Sequence, residues 1–297
     1  MKACFPTSQT MITTDLARGL AAWRRLIVLL AMVSLSACAQ APMTLGNSLS
    51  SYENLVPVDG VLTKALVRIN KDEILASKTV RIVPTAFAQG ASPAFAPNQR
   101  AMVANAVDRA ICVGLSDRFD VVGPNAPADL VVHVAVTQAA ATDEVVAGAS
   151  KVVSIVPAFF SVPVSVPRVP IGLGSLTLEA EALDRAGKQQ AVMIWARGAD
   201  SFTTSPRMSK AGDAYDLATK FGADVSELLV SGSAPFGKLP SAPSLQKINA
   251  SLGGKPKYAA CEAFGRDPGL VGAVAAQAGL PPEWSDEGAA PAAGRAD

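Results

Sequence analysis

GSLTLEAEALD at residues 174–184, the turn RAGK at 185–188 and QAVMIWAR at 190–197 decide the architecture of this chain. Leu176, Leu178, Ala180 and Ala182 alternate with Thr177, Glu179 and Glu181. A period of two marks a strand with one apolar face directed at a core and one polar face directed away. The turn around Gly187 brings the chain back as an antiparallel partner. On this pattern Glu179 and Glu181 sit on a solvated face, and changing either to Gln should alter stability only modestly.

Working upstream, ADLVVHVAVT at 128–137 has the β-branched density of a buried strand, and FDVV at 119–122 is a shorter one ended by Gly123-Pro124. KTVRIVP at 78–84 places Val80 and Ile82 on one side and reads as the first strand, stopped by Pro84. Between these, Pro97 opens a helix in the first-turn position where a missing N–H does no harm. Val103, Val107, Ala110, Ile111 and Leu115 recur at spacings of three and four and give that helix one apolar face. Downstream, a second helix runs from about Met208 to Val230, with Ala211, Tyr215, Ala218, Phe221, Val225 and Leu229 inward and Gly232 as its stop. The expected fold is α+β: a mixed or antiparallel sheet with two main helices packed on one face. Past Gly232 the chain is rich in Pro, Gly and Ala, a largely irregular C-terminal tail with short helices such as 268–277. Residues 286–297 read as disordered.

The N-terminus carries a different signal. Arg24 and Arg25 precede an apolar run from Leu26, which closes on Leu35-Ser36-Ala37-Cys38. A dozen apolar residues fall short of the roughly 20 that cross hydrocarbon and fit the core of a signal peptide. The small residues before Cys38 form a lipobox, and the Cys38 sulfur is the expected site of lipidation. Residues 1–37 are then a signal peptide, 38–50 a tether, 51–231 the α+β domain and 232–297 the extension. Translation starts at Met1 or at Met11; the second gives the more usual charged leader. Ala39 stands where an inner-membrane retention signal would place Asp, so outer-membrane sorting is expected.

The whole chain carries a net charge of +1. Lys2, Arg18, Arg24 and Arg25 against Asp15 put +3 in the signal peptide, which leaves the remainder at −2. Nucleic acid is thereby excluded as an expected partner, because displacing phosphate counterions needs a basic face. Two cysteines are left once Cys4 and Cys38 are set aside. Cys112 and Cys261 either form a disulfide in an oxidising compartment or Cys112 is simply a buried apolar residue.

Several short motifs suggest chemistry and fail on inspection. GSAPFGKL at 232–239 has phosphate-loop spacing, but Leu239 replaces the hydroxyl residue that would hold Mg²⁺, so no nucleotide is expected. Ser244-x-x-Lys247 matches the pair of acylating serine enzymes and lacks every companion element. His133 is the only histidine and lies inside an apolar strand, so it completes no zinc set, with Cys112 or otherwise. Glu179 and Glu181, about 7 Å apart on one strand face, have the separation of an inverting glycosidase pair, with nothing nearby to raise a pKa. No catalytic residue, metal or cofactor is therefore expected, and the chain reads as a non-enzyme.

VVSIVPAFFSVPVSVPRVPI at 152–171 is apolar, yet Pro157, Pro163, Pro167 and Pro170 keep it from regular structure. It is either a long loop over the sheet or a contact surface anchored by Phe159 and Phe160.

The lipobox, the opening Leu49, Ser50, Tyr52, Leu55 and Pro57, the strand from Ala128-Asp129-Leu130, Glu179-x-Glu181-x-x-Asp184 and the helix after it occur in a telling order. Together, over about residues 49–230, they resemble a family of bacterial outer-membrane lipoproteins whose domain has no assigned function. The strand–helix order is also similar to periplasmic accessory domains of envelope transport and secretion lipoproteins. The resemblance implies a lipid-anchored periplasmic binding or accessory module of the cell envelope, on the periplasmic face of the outer membrane, with an envelope protein as partner. An envelope-stabilising, peptidoglycan-associated role is the alternative, and a periplasmic hydrolase the third. The family brings no catalytic residues to carry over.

Overall fold

The hairpin expected at 174–197 forms the middle of the sheet. In the computed structural model, which describes residues 41–150, 168, 171–237 and 242–288, the strands are β1 (Val56–Pro57), β2 (Thr63–Ile69), β3 (Thr79–Ile82), β4 (Ala86–Phe87), β5 (Asp120–Val121), β6 (Leu130–Ala140), β7 (Ser175–Asp184) and β8 (Gln189–Gly198). The helices are α1 (Lys71–Ala76), α2 (Pro97–Leu115), α3 (144–150 of the described residues), α4 (Gly212–Ser231), α5 (Leu245–Ser251) and α6 (Gly269–Gln277). Sheet order is β1-β2-β8-β7-β6-β3-β5, with β4 pairing β6 off this path. β3, β4 and β5 join by parallel pairing and the rest antiparallel, so the sheet is mixed.

Alternation works as expected on the core side. Leu176, Leu178, Ala180 and Ala182 of β7, with Met193 and Trp195 of β8 and Val132, Val134 and Val136 of β6, are buried beneath the helices. α2 contributes Val103, Val107, Ile111 and Leu115; α4 contributes Ala214, Leu217, Phe221 and Val225. Small residues let these two helices come close. A Cβ on Gly222 would collide with the Ala110 side chain, and one on Gly114 with the Ser226 hydroxyl. Gly232 ends α4 in the left-handed conformation at φ 66°, where glycine carries no steric penalty.

Three expectations need correction. The strand at 79–82 is the third, because β2 and α1 precede it: in TKALVRI, Ala65, Val67 and Ile69 face the core while Lys64 and Arg68 face away. The second helix begins at Gly212, after a turn at 208–211, and Asp213 in its first turn is held in a buried ion pair with Arg168 at 2.5 Å. Asp286, placed by composition in a disordered end, is buried in an ion pair with Arg109 at 2.6 Å. The extension from 242 to 288 packs on α2, bonded to it through Cys112–Cys261, whose Cα atoms are 5.7 Å apart.

Candidate functional site

The polar face of β7 is covered. Residues 42–52, expected to be mostly tether, lie along it as a strap, and Glu179 and Glu181 keep only 1% and 7% of their surface exposed. Each carboxylate accepts hydrogen bonds from the strap, and Glu181 one more from β8. Glu179 accepts from the Gly46 N–H at 2.6 Å, the Ser48 N–H at 3.2 Å, the Ser48 hydroxyl and the Tyr52 hydroxyl at 2.6 Å. Glu181 accepts from the Ser50 N–H at 2.9 Å, the Ser50 hydroxyl and Gln189 Nε2 at 2.6 Å. Burial, then the hydrogen bond to Glu179, push the Tyr52 hydroxyl above its ordinary range and keep it a donor. Thr177 Oγ1 donates to the Pro42 carbonyl at 3.0 Å and Thr44 Oγ1 to Gln138 at 3.0 Å, so the latch reaches back to residue 42.

The solvated face expected for Glu179 and Glu181 is thus overturned. Alternation assigned the face correctly, but period two reports only which side a residue takes, not what later lies on it. The strap's own signal was Ser48-x-Ser50-x-Tyr52, three donors at the same spacing of two as their acceptors. With its oxygens directed at the strap, the pair does not present the open gap that glycoside hydrolysis needs.

The other singled-out residues are scattered. His133 is half-buried, paired in register with Glu181, and lines a shallow surface hollow with Arg81, Val131, Asp184 and Arg185. Cys112 is engaged with Cys261 and cannot join it as a ligand. Among the described residues no group of three or more His, Cys, Asp or Glu side chains is placed to hold a metal ion. Ser244 caps α5, accepting from the Lys247 N–H at 3.2 Å, while its hydroxyl and the Lys247 ammonium both bind Asp117, at 2.6 and 2.7 Å. Gly232 is the stop of α4, so the phosphate-loop-like stretch follows a helix rather than a strand. Residues 1–38, with Cys38, and Phe159 and Phe160 lie outside the described residues.

A second feature occupies the other side of the molecule. Where the extension crosses α2 and α4 a half-open cavity of about 450 Å³ forms. Ala110, Val113 and Ala250 supply apolar wall, and Arg109, Arg266, Asp224 and Glu227 bring charge to the lining. Burial pushes the Asp224 carboxyl above the usual range, against the Trp195 indole N–H that donates to it at 2.8 Å. The cavity's outer wall is held by the disulfide and by Asp286, which binds Arg109 and accepts from the Tyr215 hydroxyl at 2.6 Å.

Residues 46–225, which run from the strap to the middle of α4, match the model of one protein family, described as protein of unknown function (DUF3313). The chain belongs to the DUF3313 family. The matched span takes in every residue of the latch except Pro42 and Thr44, and it excludes the extension that lines the cavity. No curated protein matches the sequence. Two solved structures are similar to this DUF3313 chain. One is a PelC dodecamer from Paraburkholderia phytofirmans carrying a leucine-to-methionine substitution, 12% identical over 61% of this chain and 98% of that one, with a TM-score of 0.32. The other is a PelC dodecamer from the same organism in a different space group, 11% identical over 57% and 99%, with a TM-score of 0.34.

Proposed function

We propose that this DUF3313 chain is a lipid-anchored accessory module of the bacterial cell envelope, attached through acyl chains on Cys38 to the periplasmic face of the outer membrane, and not an enzyme. The observation that carries this reading is the latch. A lipid on Cys38 would be separated from latched Pro42 by three residues, four Cα steps that reach about 14 Å at full extension. A domain on so short a leash works at the membrane surface beside the proteins seated there, rather than reaching across the periplasm. An envelope protein is the partner this position implies. The segment holding Phe159 and Phe160 offers it aromatic anchors, since large rings dominate interface energetics.

The test is Cys38→Ser in cells. Lipid attachment and processing should both stop, and the chain should leave the outer-membrane fraction. A variant that is processed normally and stays equally membrane-bound overturns the anchor. Crosslinking of the wild-type chain followed by purification should then yield a discrete protein complex. Recovery of cell-wall fragments instead would replace the accessory role with a peptidoglycan-bound structural one.

A further inference from the structure

The two ends of the sheet differ in chemistry. At one end lie the last residue of β6 and the first of β7, paired as Ala140 and Ser175, with Gly198 of β8 and Thr63 of β2 beside them. The segments at or approaching this end expose large apolar side chains: Leu45 on the strap, Val61, Val145 on α3, Ile171 and Phe202. Trp284 joins them. The Met208 N–H bonds the Gly279 carbonyl at 3.0 Å and Ser209 Oγ bonds Glu283 at 2.6 Å, so the loop leaving β8 holds the Trp284 segment at this end. Val145 is 81% exposed, Phe202 71% and Trp284 74%. The opposite end, around the β7–β8 turn, exposes Lys78, Arg185 and Lys188 beside fewer large apolar side chains, Leu75 and Leu245.

Six exposed apolar side chains from six segments, gathered at one pole, are more than scattered surface hydrophobics. The strap says what covers them. It runs from Ser50 beside Glu181 back to Pro42 beside Thr177, so the described chain begins towards this same pole. We propose that this pole is a membrane-seating face, inserting its apolar side chains into the lipid headgroup region while the Lys78–Arg185–Lys188 pole faces the periplasm. The proposal rests on the anchor at Cys38. A three-residue leash, about 14 Å at most from Cys38 to Pro42, keeps the pole within reach of the bilayer. Tethering raises the effective concentration of lipid, so even weak insertion becomes the settled state. Trp284 suits the boundary, because an indole places an apolar ring in the acyl region and its N–H among headgroups.

The chain carries its own reporter. Trp23 leaves with the signal peptide and Trp195 is fully buried, so Trp284 is the tryptophan open to quenchers. The lipidated full-length protein is placed in vesicles of phosphatidylethanolamine and phosphatidylglycerol, with bromine on the acyl chains, and mass spectrometry of the N-terminal peptide verifies the lipid. Trp284 emission should shift to shorter wavelength, be quenched by the brominated chains and be shielded from aqueous acrylamide. Trp284→Phe should abolish all three responses. A verified lipoprotein whose Trp284 stays open to acrylamide overturns the seating face and leaves the anchor standing. Shielding from acrylamide without bromine quenching places a protein on the face and likewise overturns the proposal. A chain without lipid in the N-terminal peptide overturns the anchor reading itself.

Discussion

The two faces of the sheet are closed in opposite ways. On the helix side α2 and α4 approach through Gly114, Ala110, Gly222 and Ser226, and the extension is fastened over them by a covalent bond. On the other side an irregular strap is held by hydrogen bonds to two buried carboxylates. Packing and a disulfide carry most of the first face, with the buried Arg109–Asp286 pair beside them. The second depends on negative charge where the donors, among the described residues, are backbone amides and neutral side chains. Charge-assisted hydrogen bonds of this kind are strong, and removing the acceptor leaves several donors dry at once. The same difference separates two buried acids. Glu179 takes four hydrogen bonds from three residues of the strap. Asp108 on α2 takes its bonds from one residue, Thr85: the N–H at 2.9 Å and the hydroxyl at 2.6 Å.

The largest expected effect is on the helix side. Cys112 and Cys261 are 149 residues apart, and a bridge closing so long a loop restricts the unfolded chain by about 3–5 kcal/mol. Cys112→Ser with Cys261→Ser should lower the thermal midpoint and expose the segment after residue 242 to protease before the rest unfolds. An unchanged midpoint, with the extension still protected, would show that the Arg109–Asp286 pair and the packing of α5 suffice by themselves.

Next is the strap. Glu179→Leu removes the acceptor for the Gly46 and Ser48 amides and the Ser48 and Tyr52 hydroxyls, at a cost of about 3 kcal/mol. Glu179→Gln keeps one carbonyl oxygen and should cost about half as much. Urea unfolding measures both, and proteolysis between residues 42 and 52 should rise in step. Equal losses in the two variants would mean that shape rather than charge closes this face.

The legibility of the chain follows the same division. Long periodic elements were readable because burial imposes its period on them: β6, β7, β8, α2 and α4 all stand where alternation or the 3.6-residue repeat puts them. β2 was readable too, since Ala65, Val67 and Ile69 alternate with Lys64 and Arg68, but its short apolar residues make a faint stripe. The latch was not. Ser50, Tyr52, Glu179 and Glu181 were each singled out as parts of an ordered motif, yet nothing local says that residues some 130 apart meet. Polar contacts of high sequence separation have no period. The cavity was hidden for the same reason, as its wall comes from a region whose composition argued against structure.

The smallest effect is the most specific to the comparison. Burial is the largest influence on Asp108 and, against the opposing hydrogen bonds from Thr85, pushes its carboxyl up from 3.8 to about 7. An acid whose folded pKa is raised holds its proton more tightly in the native state. Its contribution to stability is therefore complete below the unfolded value near 4 and is lost as pH rises through about 7. Between about pH 6 and pH 8 the loss is about 1.4 kcal/mol, one pKa unit's worth. Asp108→Asn cannot titrate, so the difference in stability between wild type and this variant should shift by that amount over the same range, with wild type losing ground as pH rises. Urea midpoints at a series of pH values read it directly. A difference that stays flat would mean that Thr85 keeps the anion stable inside the core, and that one well-placed residue on the helix side can do what the strap does with three.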